Sequence, residues 1–238
     1  MKSSILKPHK KEQMLKNLDF ARRFDHVADS FDEMISGYSA FRRYDALSPY
    51  IRGSVLSAGT GTGGSKVLYE STKDILNLDI SFNMCRAAKN KTGAPAVCAD
   101  AEDLPVADRT FDTIVGSEMI YYLNSPERFF KEAFRILKPG GTLLITSANQ
   151  KAVFYDKVRA LLRFAGFSRA YFDDGARQFM TLKQLQRLFI GNGFSVTMVR
   201  RILTIPFESF RWLDRRIENT RMSRFAMFIV MAGLKKEK

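Results

Sequence analysis

The chain has 238 residues, 45% of them hydrophobic and 26% charged, a size and composition typical of one globular α/β domain with extensions. Its two cysteines and two histidines form no C-x-x-C or Cys/His pattern, which argues against a disulfide framework or zinc site and favours a cytoplasmic protein without a metal. No apolar run approaches the roughly 18 residues of a membrane span, and the N-terminus lacks the apolar core of a secretory signal.

The net charge of +13 is concentrated toward the C-terminal end of the chain. Residues 1–50 carry +2, residues 51–150 are neutral and residues 151–238 carry +11. This excess predicts either peripheral contact with an anionic partner, a membrane or a nucleic acid, or only a basic face in contact with solvent.

Two regions follow one another along the chain. Residues 1–50 are predicted to be an N-terminal helical extension, because apolar side chains recur there at three- and four-residue spacing. Residues 51–238 are predicted to form one domain, in which strands and helices alternate. We expect strands in "SVLSAGT", "DILNLDI", "PAVCADA", "FDTIVGSEMI" and "TLLITSA". Alternation at this interval predicts right-handed crossovers and a parallel sheet.

Capping signals set the expected helix boundaries. Ser81 is the expected N-cap of "SFNMCRAAKNK". Ser125, with Pro126 at the first helical position, is expected to start "SPERFFKEAFRIL", and the glycines of "KPGG" are expected to end that helix.

The chain beyond residue 150 is predicted to begin with an aromatic-rich, lid-like insertion over about residues 151–180. The helix "TLKQLQRLFIGNGF" and two strands, "SVTMVRRIL" and "RFAMFIVMAGL", are expected to follow. Between those strands, the amphipathic segment "FESFRWLDRRIENTRM" is predicted to be either a crossover helix or a surface for an anionic membrane.

The stretch "VLSAGTGTGG" places several glycines directly after the first strand. Gly59, Gly61 and Gly64 fit the G-x-G-x-x-G pattern of dinucleotide-binding proteins. Gly59, Gly61 and Gly63 equally fit the tighter turn of S-adenosylmethionine (SAM) enzymes. The absence of a Tyr-x-x-x-Lys pair and the long segment before the turn favour SAM.

From about Ser54 to Ala148 the chain resembles the class I SAM-dependent methyltransferases, in particular the small-molecule group that includes quinone-biosynthesis methyltransferases. The motifs that carry the resemblance are "VLSAGTGTG", "NLDIS", "ADAEDLPVADRTFDTIV" and "RILKPGGTLLIT". Their order and spacing are more specific than any one of them. The resemblance implies a Rossmann-like α/β fold with a seven-stranded, mostly parallel sheet whose last strand is antiparallel.

The resemblance also implies roles for residues at the strand ends. Gly59, Gly61 and Gly63 would approach the methionine part of SAM, and Asp79 would bind its ribose. Ser117 would face the cofactor near the sulfonium. The alternative for Asp79 is an ordinary turn residue at the end of a strand.

The adenine side of the predicted cofactor site involves four further residues. Ile80 and Met84 would lie beside the adenine, with core packing as the alternative for both. Asp100 and the Ala101 amide would read the adenine edge.

The chain departs from the family pattern in two places. Ser57 stands where the family usually carries an acid that helps to hold the amino group of SAM. The segment "IYYL" stands where many relatives have histidines, which removes an obvious general base. The catalytic candidates are His26, Tyr121 and Tyr122, with Glu118 also near the expected methyl position.

The sequence therefore predicts methyl transfer from SAM, with S-adenosylhomocysteine as product, to a small apolar, aromatic or isoprenoid metabolite. The alternatives are a nucleic-acid (RNA) methyltransferase, which the missing N-P-P-[YF] tetrapeptide disfavours, and an inactive methyltransferase-like binding protein. The residues predicted to wall an apolar acceptor pocket are Phe31, Tyr38, Phe154, Tyr155, Phe164, Phe167, Tyr171, Phe172 and Phe179.

Overall fold

The computed structural model describes residues 8–152, 179–205 and 207–236, with side chains described from residue 17 onward. The strands of these residues form one seven-stranded sheet. They coincide with the apolar runs in which the sequence predicts strands. Their bounds are β1 (Val55–Ala58), β2 (Ile75–Asp79), β3 (Ala96–Cys98), β4 (Phe111–Ser117), β5 (Leu137–Ala148), β6 (Phe194–Ile202) and β7 (Phe228–Lys235).

Several of the helices begin where a side chain accepts a hydrogen bond from one of their first amide groups. The Met84 amide donates to Ser81 Oγ over 3.1 Å at the start of α5, as predicted. Thr181 and Gln184 form a reciprocal capping box at the start of α7. The α-helices are α1 (Pro8–Val27), α2 (Phe31–Met34), α3 (Gly37–Leu47), α4 (Lys66–Ser71), α5 (Phe82–Thr92), α6 (Pro126–Ile136), α7 (Leu182–Gly191) and α8 (Arg211–Ile217).

The strand order is β3-β2-β1-β4-β5-β7-β6. Strands β1 to β5 pair in parallel, and β7 pairs antiparallel with both β5 and β6. This confirms the predicted mostly parallel sheet with an antiparallel last strand. All strands except β7 therefore end at one edge of the sheet, called the carboxyl edge below, which is where parallel α/β sheets bind ligands.

Apolar side chains cover both faces of the sheet. Along β1, Leu56 belongs to one buried cluster and Val55 to another, because alternate side chains of a strand point to opposite faces. Tyr44 and Leu47 of α3 pack into the cluster of Val55 and Val230. The end of the N-terminal extension is thus part of the domain core.

Helix α6 begins where the sequence predicts, with Pro126 at its first position, but its capping contact and its C-terminal end differ from the prediction. Ser125 stands at the N-cap, but its side chain makes no capping hydrogen bond. The Glu102 carboxylate instead accepts hydrogen bonds from the Asn124 and Ser125 amides. At the other end the helix stops at Ile136, and "KPGG" lies within β5 rather than in a loop.

Most of the predicted lid insertion lies outside the described residues. This includes the aromatic residues assigned to the acceptor pocket between 154 and 172. The segment between β6 and β7 contains a short 3₁₀ helix, Glu208–Phe210, followed by α8. It is tied to α3 by buried Arg42, which pairs with buried Asp214 and with Glu218.

Candidate functional site

The glycine-rich turn lies at the carboxyl edge directly after β1. Gly59, Gly61 and Gly63 adopt φ values of +62°, +55° and +114°, which side chains with a Cβ rarely adopt. A Cβ on Gly59 would lie 2.5 Å from Met119 Cβ, and one on Gly63 would lie 2.7 Å from Thr92 Cγ2. Only glycine therefore fits at these positions.

Asp79, the last residue of β2, is tied to the turn. Its Oδ2 accepts a hydrogen bond from the Gly61 amide over 2.9 Å, and its Oδ1 accepts one from the Ser81 amide over 3.0 Å. Burial raises the pKa of Asp79, although these two amide donors act in the opposite direction. Each oxygen keeps acceptor capacity, so the carboxylate has the chemistry to receive a pair of hydroxyl groups.

Asp100 occupies the equivalent place beyond β3. Its Oδ1 accepts from the Glu102 amide over 2.8 Å, and its Oδ2 accepts from Asn17 Nδ2 over 2.6 Å. Ala101 beside it is buried. The two predicted ligand carboxylates thus follow neighbouring strands at the same edge of the sheet.

Ile80 and Met84 differ in their exposure. Ile80 is partly buried and follows Asp79 directly, whereas Met84 is completely buried at the start of α5. Both lie between the two carboxylates along the chain, and their contact with an adenine stays a prediction.

The first two helices lie across this same region; the sequence placed His26 and Phe31 near the site but did not predict the hydrogen bonds that hold these helices there. In addition to the contact of Asn17 with Asp100, Asp25 Oδ1 accepts from Ser81 Oγ over 2.6 Å and from the Asn83 amide over 2.9 Å. From α2, Asp32 accepts from Thr62 Oγ1, and the Phe31 ring would lie 3.0 Å from a Cβ on Gly61. The described residues that side chains of α1 and α2 bind by hydrogen bonds include Thr62, Ser81, Asn83, Lys91, Asp100 and Asn124.

Ser57 belongs to a buried, uncharged network below the turn. Its Oγ donates to Thr60 Oγ1 over 3.3 Å, and Thr60 Oγ1 donates to Asn77 Oδ1 over 2.9 Å. Tyr69 donates to the same Asn77 oxygen over 2.8 Å. The neutral Ser57 side chain thus finds its hydrogen-bond partner inside this network, through Thr60.

Glu118 forms a second polar centre, immediately after β4. Its Oε1 accepts from Thr146 Oγ1 over 2.7 Å, and its Oε2 accepts from the Tyr121 hydroxyl over 3.0 Å. Burial raises the pKa of Glu118 despite the opposing charge of Arg43. Its φ of +58° is strained for a residue with a side chain, a feature that is common in active sites.

Ser117 and Tyr44 adjoin Glu118. Ser117 Oγ lies 3.0 Å from Thr146 Oγ1 and so belongs to the same hydrogen-bonded group as Glu118. Burial raises the pKa of Tyr44 to about 12, so its hydroxyl stays protonated at neutral pH. The carboxylate of Glu118 is the proton acceptor in this group.

Aromatic rings cover this second centre. The ring of Tyr122 lies 4.6 Å from that of Tyr121, and 5.4 Å from that of Phe24 in α1. Phe179 contacts Tyr121 at 5.5 Å. The rings that form this aromatic cluster are Phe20, Phe24, Phe31, Tyr121, Tyr122 and Phe179.

The catalytic candidates are therefore not equally placed. Tyr121 and Tyr122 lie beside Glu118, as their position in the sequence suggests. His26 is exposed on α1, whereas its neighbours Phe24 and Asp25 point toward the domain. The structure does not bring His26 into the cluster.

The described residues offer neither a metal-binding cluster nor a membrane-spanning helix. Within the parts of the chain that the structure describes, no group of three or more His, Cys, Asp or Glu side chains could hold a metal ion. None of the helices found there combines the length and the apolar character that crossing a bilayer requires.

We expect replacement of Asp79 by alanine to weaken binding of an adenosyl ligand by about tenfold or more, since a charge-assisted hydrogen bond contributes about 1.5–3 kcal/mol. Titration calorimetry with SAM measures this effect. Asp112→Ala is the matched control, because the Asp112 carboxylate binds Ser54 and Lys138 near the start of β4, at the opposite edge of the sheet. Equal loss of affinity in both variants would contradict the assignment of Asp79.

The part of the sequence that contains the candidate site matches known proteins. Residues 56–145 match the family described as "Methyltransferase domain". An uncharacterized methyltransferase of Bacillus pumilus (strain SAFR-032) is 30% identical over 202 residues, which cover 75% of this chain and 91% of the relative.

Two curated relatives with named acceptors match only in part. Malonyl-[acyl-carrier protein] O-methyltransferase of Marinomonas sp. (strain MWYL1) is 35% identical over 143 residues, or 55% of this chain and 52% of the relative. Demethylmenaquinone methyltransferase of Renibacterium salmoninarum is 30% identical over 136 residues, or 53% and 57%. The chain thus spans little more than half the length of these two relatives.

A solved structure from Thermotoga maritima, described as a SAM-dependent methyltransferase and possible histamine N-methyltransferase, has the same fold. It superposes with a TM-score of 0.68 at 21% identity and covers 91% of this chain and 100% of its own. At that identity the likeness concerns the fold alone.

Proposed function

The chain belongs to the class I SAM-dependent methyltransferases. From this premise we propose that its methyl acceptor is a small apolar, aromatic or isoprenoid metabolite. The observation that carries the proposal is the aromatic cluster around the Glu118 carboxylate at the end of β4. Flat or branched apolar molecules pack well against such rings. One of the partly matching relatives is named for demethylmenaquinone and another for malonyl-[acyl-carrier protein], and the first name is consistent with the proposed acceptor class.

The residues at the ends of β1, β2 and β3 fit an adenosyl group. The glycine turn leaves no side chain between the backbone and a ligand, and Asp79 has acceptor capacity for both ribose hydroxyls. Asp100 and the Ala101 amide offer an acceptor and a donor for the adenine edge, with Ile80 beside it. We assign these residues, together with Gly59, Gly61, Gly63, Met84 and Ser117, to the SAM site.

When bound, SAM supplies an electrophilic methyl group and leaves as S-adenosylhomocysteine. The chain's own contribution is to align the acceptor and to exclude water, which can supply a large part of the rate enhancement. The aromatic cluster does both, because its rings from α1 and from the segment after β4 meet over the carboxyl edge.

We assign proton removal to Glu118. Methyl transfer to an acceptor oxygen or nitrogen would displace S-adenosylhomocysteine and would leave one proton to be removed from the acceptor. The acceptor's proton passes to the Glu118 carboxylate, which Thr146 and Tyr121 hold in place. Burial raises the pKa of Glu118, which brings this pKa closer to the near-neutral value of an effective general base.

Transfer of a labelled methyl group tests this proposal. The full chain is incubated with methyl-labelled SAM and a cell extract, and the label is followed into the organic and aqueous phases and into RNA. We expect organic-soluble label, which Asp79→Ala lowers and Asp112→Ala does not. Label confined to RNA or to polar compounds would contradict the proposed acceptor, and SAM binding without any transfer would indicate an inactive binding protein.

A further inference from the structure

The segment between β6 and β7 presents apolar side chains to solvent. It lies at the carboxyl edge of the sheet, because β6 ends there at Ile202 and β7 begins there at Phe228. Its exposed apolar side chains are Phe207 (59% exposed), Phe210 (50%), Trp212 (58%), Met222 (59%) and Phe225 (44%). Helix α8 contacts the 3₁₀ helix Glu208–Phe210, which Phe207 precedes, and a second 3₁₀ helix, Arg221–Phe225. We therefore treat these five side chains as one surface, called the aromatic–arginine surface below.

Arginines accompany these side chains. Arg211, Arg221 and Arg224 are exposed, and the Arg224 guanidinium lies 4.6 Å from the centre of the Phe225 ring. The Arg216 guanidinium similarly lies 5.6 Å from the centre of the Trp212 ring. Cationic and aromatic groups thus alternate on the outer side of the segment.

The acidic residues of the same segment point inward. Asp214 is completely buried, where it pairs with Arg42 and accepts a hydrogen bond from the Ile205 amide over 3.0 Å. Glu218 binds Arg42 and Arg200. Of the three acids in residues 207–225, Glu208 is therefore the one left on the outer side, against five arginines, of which Arg215 pairs with Asp45 of α3.

This arrangement matches an anionic lipid surface. Tryptophan and phenylalanine favour the boundary between head groups and acyl chains, while arginine side chains reach the lipid phosphates. A nucleic acid would also attract the arginines, but Met222 offers no ring for base stacking. A lipid surface accommodates all five apolar side chains together.

We propose that the aromatic–arginine surface docks the protein on membranes that contain anionic phospholipid. Docking there brings the carboxyl edge, with Glu118 and the aromatic cluster, toward the bilayer. If the acceptor is apolar, as the proposed function states, it can then pass from the membrane to the site without crossing water. The docking itself does not depend on that function.

The fluorescence of Trp212 tests the proposal directly, because it is the one tryptophan of the chain. The full chain is titrated with phosphatidylcholine vesicles, with and without about one third phosphatidylglycerol. We expect a blue shift of the emission and at least about tenfold stronger partitioning with the anionic vesicles, weakened by high salt.

Variants distinguish vesicle binding through the aromatic–arginine surface from non-specific adhesion to lipid. Phe210→Ser with Phe225→Ser, and separately Arg221→Glu with Arg224→Glu, should each lower vesicle partitioning by about tenfold or more. Ile190→Ser is the matched control, because Ile190 is a 67% exposed apolar side chain on α7, away from the surface, and should leave partitioning unchanged. The far-ultraviolet dichroism and SAM affinity of each variant establish that it is folded and that its methyl-donor site is intact.

Three outcomes would overturn the proposal. These are an unshifted Trp212 emission with anionic vesicles, tighter binding of a single-stranded RNA than of vesicles, and a dimer that the Phe210/Phe225 variant abolishes. A native chain that transfers methyl groups but does not bind anionic vesicles refutes the docking surface alone, whereas a native chain that binds vesicles without methyl transfer refutes the proposed function alone.

Discussion

Glu118→Gln is expected to lower the turnover number by about 10²- to 10⁴-fold while SAM affinity stays unchanged, since a positioned base contributes about that much. Glutamine has the same shape and keeps the strained backbone, but it cannot take a proton. In the native enzyme the rate should rise with pH as Glu118 ionises, with a midpoint above the ordinary glutamate pKa because burial raises it. The variant should lose this rise. Steady-state assays across pH measure both effects.

Stability provides an independent check on the same variant. Because the pKa of Glu118 is higher in the folded than in the unfolded protein, the folded state binds the proton more tightly. The contribution of Glu118 to stability is therefore present at low pH and is lost as the pH rises through the folded-state pKa. Glu118→Gln should then have a higher urea midpoint than the native chain at neutral pH.

Tyr121→Phe is the matched control for Glu118→Gln. It removes one hydrogen bond to Glu118 Oε2 and leaves the carboxylate able to accept a proton. We expect a smaller loss of turnover and a pH profile that retains its rise. A rise that persists in Glu118→Gln would mean that another group takes the proton.

Gly61→Val is expected to abolish measurable SAM binding. Gly61 has a φ of +55°, and a Cβ there would lie 3.0 Å from the Phe31 ring. The two valine methyl groups must therefore displace that ring or project from the turn into the space over Asp79. Calorimetry with SAM and with S-adenosylhomocysteine measures the loss.

Gly93→Val isolates the backbone strain from the effect on the site. Gly93 ends α5 with a φ of +72°, and nothing lies within 4 Å of a Cβ built on it. The two variants share the cost of a left-handed conformation, but only Gly61 lies at the carboxyl edge. We expect similar losses of thermal stability and normal SAM binding in Gly93→Val. Normal binding in Gly61→Val would place the ligand elsewhere.

Local sequence patterns were sufficient to predict the strands and the mostly parallel sheet that they form. Most of the strands are short apolar runs, and the predicted cap Ser81 starts its helix because the bonded atoms lie only a few residues apart. The positions of Asp79 and Asp100 follow in the same way, since the ends of parallel strands share one edge. Ser125 shows the limit, because Glu102, 23 residues away, accepts from its amide.

Contacts between distant residues were not accessible to the same reasoning. The hydrogen bonds of Asn17 with Asp100 and of Asp25 with Ser81 span 83 and 56 residues, and no periodicity in the sequence encodes them. The strain at Glu118 was equally hidden, because nothing in "GSEMIYYL" requires a positive φ at a glutamate. An amphipathic pattern predicted the segment after β6, but the burial of Asp214 depends on Arg42.

The bonds from α1 and α2 to Asp100, Ser81 and Thr62 have a kinetic consequence. Asn17 binds Asp100, and the Phe31 ring lies against Gly61, so α1 and α2 contact two of the residues assigned to the cofactor. We therefore expect entry and release of the cofactor to require movement of these two helices, and we expect variants that remove the contacts to raise both rates.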